Sequence, residues 1–166
     1  MQDWDGIVAR EGPSVWRIAY RLLGNRADAD ECFQETFLAA LRLAGREPLR
    51  DARAILNRLA VARAMDRLRR RYRQRGREMT TEWESHPAGG VSPSQCAEAA
   101  ELSERLRNAL AELPAKQAEA FCLFNLEGYS YQQIGVQLNC SIDNVGVLLH
   151  RARARLRQLL SQVGAE

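Results

Sequence analysis

The sequence predicts an all-helical protein made of two small helical domains joined by a linker. Ala, Leu and Arg, which favour helices, supply 68 of the 166 residues, whereas Val, Ile and Thr, which favour strands, supply 16. Apolar residues recur at helical spacing over 1–75 and again over 96–166. Residues 76–95 lose this period and collect Gly, Pro, Ser and Thr together with three Glu residues, so an acidic flexible linker is predicted there.

The first domain is predicted to contain four helices. A short helix near 3–10 is followed by a second that begins at Pro13 or Ser14 and ends at Gly24. A third covers about 27–43 after Asn25, and a fourth covers about 52–74 after Asp51. The fourth carries a core stripe at helical spacing, which consists of Ile55, Leu59, Ala62, Met65, Leu68 and Tyr72.

The second domain is predicted to end in a helix-turn-helix. One helix begins near residue 95 and ends at Pro114, and the next covers about 115–127. Ser130 and Gln133 then fit a capping box for a two-turn helix over 131–138. A tight turn leads to Ser141, which is predicted to cap a long final helix. A plain helical hairpin is the alternative, because loops of this length are common between packed helices.

Basic residues concentrate in two segments of the chain. Residues 42–77 carry 13 basic and three acidic side chains, and residues 151–166 carry four basic and one acidic. Because the three acidic residues in 42–77 leave an excess of ten positive charges unbalanced, this segment predicts contact with a polyanion such as nucleic acid. A solvated charged face near a helix C-terminus is the alternative.

Acidic residues form a face on the predicted 27–43 helix. Asp28, Glu31 and Glu35 are spaced three and four residues apart, which places them on one side of a helix. The face indicates either contact with a basic patch on a protein partner or simple solvation.

No motif predicts an enzyme, a cofactor or a metal site. The sequence has no nucleophile elbow, phosphate-binding glycine loop or metal-ligand motif, and neither His86 nor His150 stands in a pattern of residues that suggests catalysis. The four Cys residues lie far apart and are predicted to be reduced thiols. The acidic N-terminal segment and the absence of a long apolar run predict a cytoplasmic protein without membrane insertion.

Several motifs resemble the extracytoplasmic-function (ECF) group of sigma-70 family RNA polymerase sigma factors. The strings Asp28-Ala29-Asp30-Glu31 and Gln34-Glu35-Thr36-Phe37 are similar to the polymerase-binding segment of that family. The segment from Leu59 to Arg70 is similar to the end of its second region. The fourth region is matched by Leu113-Pro114, Glu127 to Ser130, Gln133 to Gly135 and Leu149 to Arg153.

This resemblance implies a sigma factor that directs core RNA polymerase to promoter DNA, assists promoter opening and has an anti-sigma factor as a further partner. It places region two at 1–75, the acidic linker at 76–95 and region four at 96–166. Polymerase binding is implied for Asp28, Asp30, Glu31, Gln34 and Glu35. Binding of the minus-10 element is implied for Arg58, Arg63, Arg67, Arg70 and Arg71. Binding of the minus-35 element is implied for Gln132, Gln133, Ser141, Asn144, His150, Arg151 and Arg153.

Two segments differ from the usual pattern of the family. No aromatic residue occurs between Leu38 and Arg71, where the family places side chains that support promoter melting. The recognition helix reads Asp143-Asn144-Val145-Gly146-Val147-Leu148, where Gly-Thr-Val-Lys-Ser-Arg is frequent, so the usual basic readers are missing. Asn144 is still able to read adenine.

The residues alone leave two other functions open. A helix-turn-helix regulator that acts without polymerase would explain 95–166, but it gives the basic and acidic helices no role. A helical adaptor that binds other proteins would explain the charged faces as solvated surface.

Overall fold

The residues that the structure describes form seven α-helices, which confirms the all-helical prediction. The structure, a computed structural model, describes residues 1–76 and 93–162, and within these ranges it contains no strand. The helices are α1 Trp4–Leu23, α2 Arg26–Ala44, α3 Ala52–Arg75, α4 Pro93–Glu112, α5 Ala115–Asn125, α6 Tyr131–Leu138 and α7 Ile142–Gln162. None of these described helices is long and apolar enough to cross a bilayer. Most of the predicted linker, with Glu78, Glu82, Glu84 and His86, lies outside the described residues.

The prediction of two helices before Gly24 is wrong, because α1 continues through Pro13. Ile7 in its first half and Val15 and Ile18 in its second half are all buried in the same core. Gly12 is also buried, and a Cβ atom there would lie 3.5 Å from the Phe33 ring. Packing along the whole helix therefore outweighs the backbone hydrogen bond that Pro13 cannot donate.

The predicted helix ends agree closely with the observed caps. Asn25 and Asp51 accept hydrogen bonds from the backbone N–H groups of Asp28 and Ala54, at 2.9 and 3.0 Å. Gly24 adopts a left-handed conformation with φ of 76° at the end of α1, as a C-terminal Gly does when it satisfies the last carbonyls. These local signals fix where the helices begin and end.

Helix α3 is the centre of the molecule. It packs against α1 and α2 on one side and against α4, α5 and α6 on the other. The predicted stripe is therefore too narrow: Tyr72 is 37% exposed, whereas Leu56, Ala60, Val61 and Ala64 are fully buried. A helix covered on several sides needs small and apolar residues around most of its surface.

The two predicted domains lie against each other through polar contacts. Asn57 of α3, 1% exposed, donates from Nδ2 to the Tyr129 hydroxyl at 2.9 Å. Arg107 of α4 donates to the carbonyls of Leu22 and Arg21 at the end of α1, at 3.0 and 3.2 Å. Arg17 of α1 pairs with Glu127 at 3.6 Å. Side chains of the second domain thus provide hydrogen-bond partners for a buried amide and for the last carbonyls of a helix in the first domain.

Candidate nucleic-acid and protein interfaces

Helix α2 presents an exposed face that is polar at its start and apolar at its end. Asp30 and Gln34 are exposed, and Leu38 and Leu41 are 51% and 44% exposed. Their spacing of four, four and three residues places them along one side of the helix. The two Leu side chains were missed in the sequence, although their spacing from Gln34 was a signal. Exposed apolar side chains beside polar ones are typical of a protein-binding surface.

Three acidic residues of the same helix are engaged by one Arg side chain of α3. Arg67 lies 2.8 Å from Glu31, 2.6 Å from Glu35 and 3.8 Å from Asp28. Its side chain is only 16% exposed. The structure therefore supplies acidic partners that the local charge count did not reveal, because they are 32 to 39 residues away in the chain.

These contacts keep the groups charged. Burial raises the pKa of the Asp28 carboxyl. The hydrogen bond from Asn25 and the nearby guanidinium groups of Arg71 and Arg67 together lower this pKa by more than burial raises it, so the net pKa is below its ordinary value. Burial lowers the pKa of Arg67, yet Glu35 and Glu31 raise it above its ordinary value. The α2–α3 contact is thus an ion-pair cluster of fixed charge.

Arg71 has a structural role in the same region. Its guanidinium pairs with Asp28 and also donates to the carbonyl of Leu23 at 3.0 Å. Together with Arg107, it satisfies the last carbonyls of α1. Cations at a helix C-terminus also interact favourably with the helix dipole.

The remaining predicted minus-10 residues do not all share one side of α3: Arg63 and Arg70, seven residues apart, lie on the same side, and Arg58 does not. Arg70 is exposed, whereas Arg58 and Arg63 are half-buried. Arg58 and Arg67 are nine residues apart, so they lie about half a turn from each other around the axis. Arg58 is close enough to Glu119 of α5 to lower the pKa of that carboxyl, although burial, the largest effect, leaves the net pKa raised. The structure does not bring the five Arg side chains together on one surface.

Helices α6 and α7 form the predicted helix-turn-helix. Ser130 accepts from the Gln133 backbone at 3.1 Å, and the Gln133 side chain accepts from the Ser130 backbone at 2.9 Å, which confirms the capping box. Asn139, with φ of 53°, ends α6 in a left-handed conformation. A Cβ atom on Gly135 would lie 2.8 Å from the Cys140 carbonyl oxygen, so the turn requires glycine at that position.

Three of the predicted minus-35 residues already have a structural role in the motif. Ser141 caps α7 by accepting from the Asn144 backbone at 3.1 Å, and Gln133 is part of the capping box. Arg153 is half-buried, with its guanidinium carbon 5.3 Å from the centre of the Phe124 ring. Six of the seven residues are exposed; besides Gln133 and Ser141 these are Gln132, Asn144, His150 and Arg151.

No cofactor chemistry is evident in the part of the chain that the structure describes. No disulfide joins the Cys residues of this part, and no group of three or more described His, Cys, Asp or Glu side chains could hold a metal ion. Burial raises the pKa of the Cys32 thiol to about 11 and that of Cys122 to about 12, which keeps both protonated and unreactive.

Two family models match the chain in the same order as its two halves. The model described as Sigma-70 region 2 matches residues 7–74, which include α2 and α3. The model described as Sigma-70, region 4 matches residues 103–156, which include the helix-turn-helix.

Curated relatives match along nearly the whole chain. The ECF RNA polymerase sigma factor SigE of Mycolicibacterium smegmatis is 32% identical over 100% of this chain, which spans 65% of that relative. The ECF RNA polymerase sigma factor EcfG of Rhodopseudomonas palustris is 33% identical over 93% of this chain and 83% of the relative. The RNA polymerase sigma factor CarQ of Myxococcus xanthus is 30% identical, with 98% and 92% covered.

A solved structure shares the fold. The sigma factor RpoE from Bartonella quintana, crystallised in complex with the anti-sigma factor NepR, superposes with a TM-score of 0.57. The alignment covers 97% of this chain and 98% of that one at 24% identity.

Proposed function

Since the chain belongs to the ECF sigma factors of the sigma-70 family, we propose that it directs core RNA polymerase to a set of promoters through separate surfaces on α2, α3 and the α6–α7 helix-turn-helix. The observation that supports this most strongly is the match of both sigma-70 regions, in order, to the halves that carry these surfaces. Members of this family act in transcription initiation, and we propose no chemical reaction for this protein.

The outer face of α2 is proposed to bind core polymerase. Asp30 and Gln34 supply exposed polar groups, and Leu38 and Leu41 supply apolar surface that is exposed to solvent in the free chain and would be buried on binding. Asp30 already accepts a hydrogen bond from the Trp16 indole at 2.8 Å, which holds its carboxylate in place. The other acidic residues of the predicted set, Asp28, Glu31 and Glu35, support this face through Arg67.

Promoter DNA is proposed to contact two places. Arg70, exposed on α3, and Arg63 nearby are placed to hold phosphates of the minus-10 element. The exposed residues of α6 and α7 are placed to meet the minus-35 duplex, as the second helix of such a motif does. Two modest sites on one chain gain affinity through effective concentration.

Further parts of the proposal concern partners and location. A sigma factor of this group is expected to be held by an anti-sigma factor when it is inactive, and the structural relative RpoE was crystallised with one. Because core polymerase is its partner, the protein is expected to act in the cytoplasm. The predicted linker, outside the described residues for most of its length, is expected to join the two DNA-binding regions.

Run-off transcription with core polymerase of the same organism tests the proposal. Genomic fragments that carry candidate promoters serve as templates, and we expect transcripts that depend on added protein, together with co-elution of the protein with core. Absence of both would contradict the proposal. Duplex binding without any effect on polymerase would instead favour a helix-turn-helix regulator.

The α2 surface has a sharper test. The double substitution of Gln34→Ala and Leu38→Ala should reduce co-elution with core about tenfold, because both side chains are exposed and neither holds the fold. Leu102→Ala, at a 62% exposed position on α4, is the matched surface control and should bind core normally.

A further inference from the structure

The outward side of α7 carries an apolar residue where a recognition helix meets base edges. Val145, Leu149, Ala152 and Leu156 are buried and define the inward side of this helix. Val147 follows Val145 by two residues, so its side chain projects about 200° away around the helix axis. It is 42% exposed and lies in the second turn, within the part of a recognition helix that enters the major groove.

The neighbours of Val147 define the chemistry of this surface. Asn144, three residues earlier, and Arg151, four residues later, are exposed at positions that adjoin Val147 on a helix. Ile142, at the start of α7, and Val136, on α6, are 48% and 78% exposed. Asp143, four residues before Val147, and His150, three residues after it, are exposed as well, so the apolar side chains of this surface lie among polar and charged ones.

The residue types in the first two turns limit which bases can be read. Residues 142–149 contain no Arg and no Lys, so these turns lack the forked or cationic donor that reads the O6 and N7 acceptors of guanine. Thymine is the base that presents a methyl group in the major groove, and an apolar side chain is its usual contact. Asn144 adds the amide that pairs with adenine N6 and N7, and Asp143 adds a carboxylate, which is able to accept from cytosine N4.

We infer that Val147 reads the C5-methyl group of thymine in the duplex bound by α7. The inference rests on the proposed binding of a promoter duplex by this motif. Arg151 and the Arg residues that follow it supply positive charge along the same helix, which favours a nucleic acid over an apolar protein partner.

The test uses holoenzyme reconstituted from core polymerase and the full chain. A random duplex library is selected for binding, and enriched duplexes are resynthesised with uracil in place of thymine at one position at a time. Uracil keeps base pairing and removes only the methyl group. We expect uracil at one or two upstream positions to weaken binding about fourfold, the factor that burial of one methyl group supplies.

The substitution Val147→Ala assigns the effect to this residue. On the thymine duplex the variant should bind about as weakly as the wild type binds the uracil duplex, and uracil should cause no further loss, as expected for two changes that remove one contact. The control Leu102→Ala should retain the full difference between thymine and uracil. Equal binding of thymine and uracil duplexes by the wild type, or a uracil effect that persists in Val147→Ala, would overturn the inference.

The failure of the underlying proposal has a different signature. If the holoenzyme enriches no duplex beyond core polymerase alone, promoter binding itself is absent. If sequences are enriched but lack thymine facing α7, promoter binding stands and the reading by Val147 is wrong.

Discussion

Gly135 shows how one residue determines the geometry of the helix-turn-helix. It is buried in α6, and the Cys140 carbonyl oxygen of the following turn lies 2.8 Å from where a Cβ atom would be. Gly135 also accepts a backbone hydrogen bond from Cys140 at 2.9 Å. The absence of a side chain therefore allows the turn to fold back closely onto α6.

Gly135→Ala is expected to lower the free energy of unfolding by about 1–3 kcal/mol, because the backbone of the turn must shift to admit the methyl group. Gly146→Ala is the matched control in the neighbouring helix. There the added Cβ would lie 3.7 Å from the Tyr131 ring, an ordinary contact, so the better helix propensity of Ala should raise stability by about 1 kcal/mol. Urea unfolding of both variants measures the two values; the same sign for both would contradict this explanation.

Arg67 and Arg70 illustrate how far neighbouring residues of the same type differ. Arg67 is largely buried among carboxylates of α2, whereas Arg70, three residues later, is exposed. The charge pattern of the sequence does not distinguish these two Arg residues, because the acidic partners of Arg67 are 32 to 39 residues away in the chain. The spacing of the acidic residues predicted an acidic face on α2, but nothing in the sequence indicated that Arg67 of α3 would pair with it.

At the scale of elements, the ion-pair cluster joins α2 to α3 and so couples the proposed polymerase surface to the proposed minus-10 surface. Glu31 and Glu35 lie on α2 within a turn of Asp30 and Gln34, and both are held by Arg67 of α3. A substitution in the cluster is therefore expected to affect both the stability of the fold and binding to core polymerase. A substitution at the exposed end of α3 is expected to affect only the interaction with promoter DNA.

Separate Arg→Ala substitutions on α3 test this division. Arg67→Ala should lower the free energy of unfolding by about 1–2 kcal/mol, less than for a fully buried pair because the carboxylates reach solvent, and should weaken binding to core. Arg70→Ala should change stability by less than about 0.5 kcal/mol and leave core binding intact. It should nevertheless reduce promoter opening, measured by permanganate reactivity of thymines. Reversed phenotypes for the two variants would refute the assignment.

The elements themselves were largely predictable, for reasons that are local. Asn25, Asp51, Ser130 and Ser141 carry cap signals that the structure uses as expected. The exception is α1, where Gly12 and Pro13 indicated a break but packing along both halves continues the helix. The contacts of α3 with α1, α2, α4, α5 and α6 were also not predictable. Apolar residues at helical spacing identify one buried side of a helix, but they do not show how many other helices pack against its remaining sides.

At the scale of the whole molecule, the two halves pack through buried polar groups as well as apolar ones. Asn57 accepts from the Ser14 hydroxyl at 3.3 Å and donates to the Tyr129 hydroxyl at 2.9 Å. Glu119 of α5 lies near Arg58 of α3. Because α5 packs against α3 and Arg58 is half-buried, this side chain is only partly available to DNA in the observed arrangement.

Tyr129→Phe tests whether the halves pack together in solution. Removal of the hydroxyl leaves the buried amide of Asn57 without its acceptor, which should lower the free energy of unfolding by about 1–2 kcal/mol. Tyr131→Phe makes the same chemical change in α6, where the ring packs against Phe124, and should cost less. Equal urea midpoints for the two variants would indicate that the contact between Asn57 and Tyr129 does not form in the free chain.

The contact between the halves is also expected to respond to pH through Glu127. Its side chain is 5% exposed, one carboxylate oxygen has no hydrogen-bond partner among the described residues, and Arg17 lies 3.6 Å from the other. Burial raises the pKa of this carboxyl above its ordinary value of 4.5, although Arg17, Arg21 and Arg53 lower it in part. Since the folded chain binds this proton more tightly than the unfolded chain, the stabilisation from protonation is complete below pH 4.5 and is lost as pH rises through the raised pKa.

Comparison of the wild type with Glu127→Gln isolates this effect, because every other titrating group is shared by the two chains. Gln resembles the protonated carboxyl at all pH values, so the wild type should lose stability relative to the variant as pH increases above 4.5, and the difference should level off once Glu127 is fully charged. Urea unfolding at intervals between pH 4.5 and 7.5 measures the difference. A difference independent of pH would contradict the prediction and mean that Arg17 offsets the effect of burial. A difference that shifts in favour of the wild type as pH rises would mean that Arg17 stabilises the charged carboxylate by more than burial destabilises it.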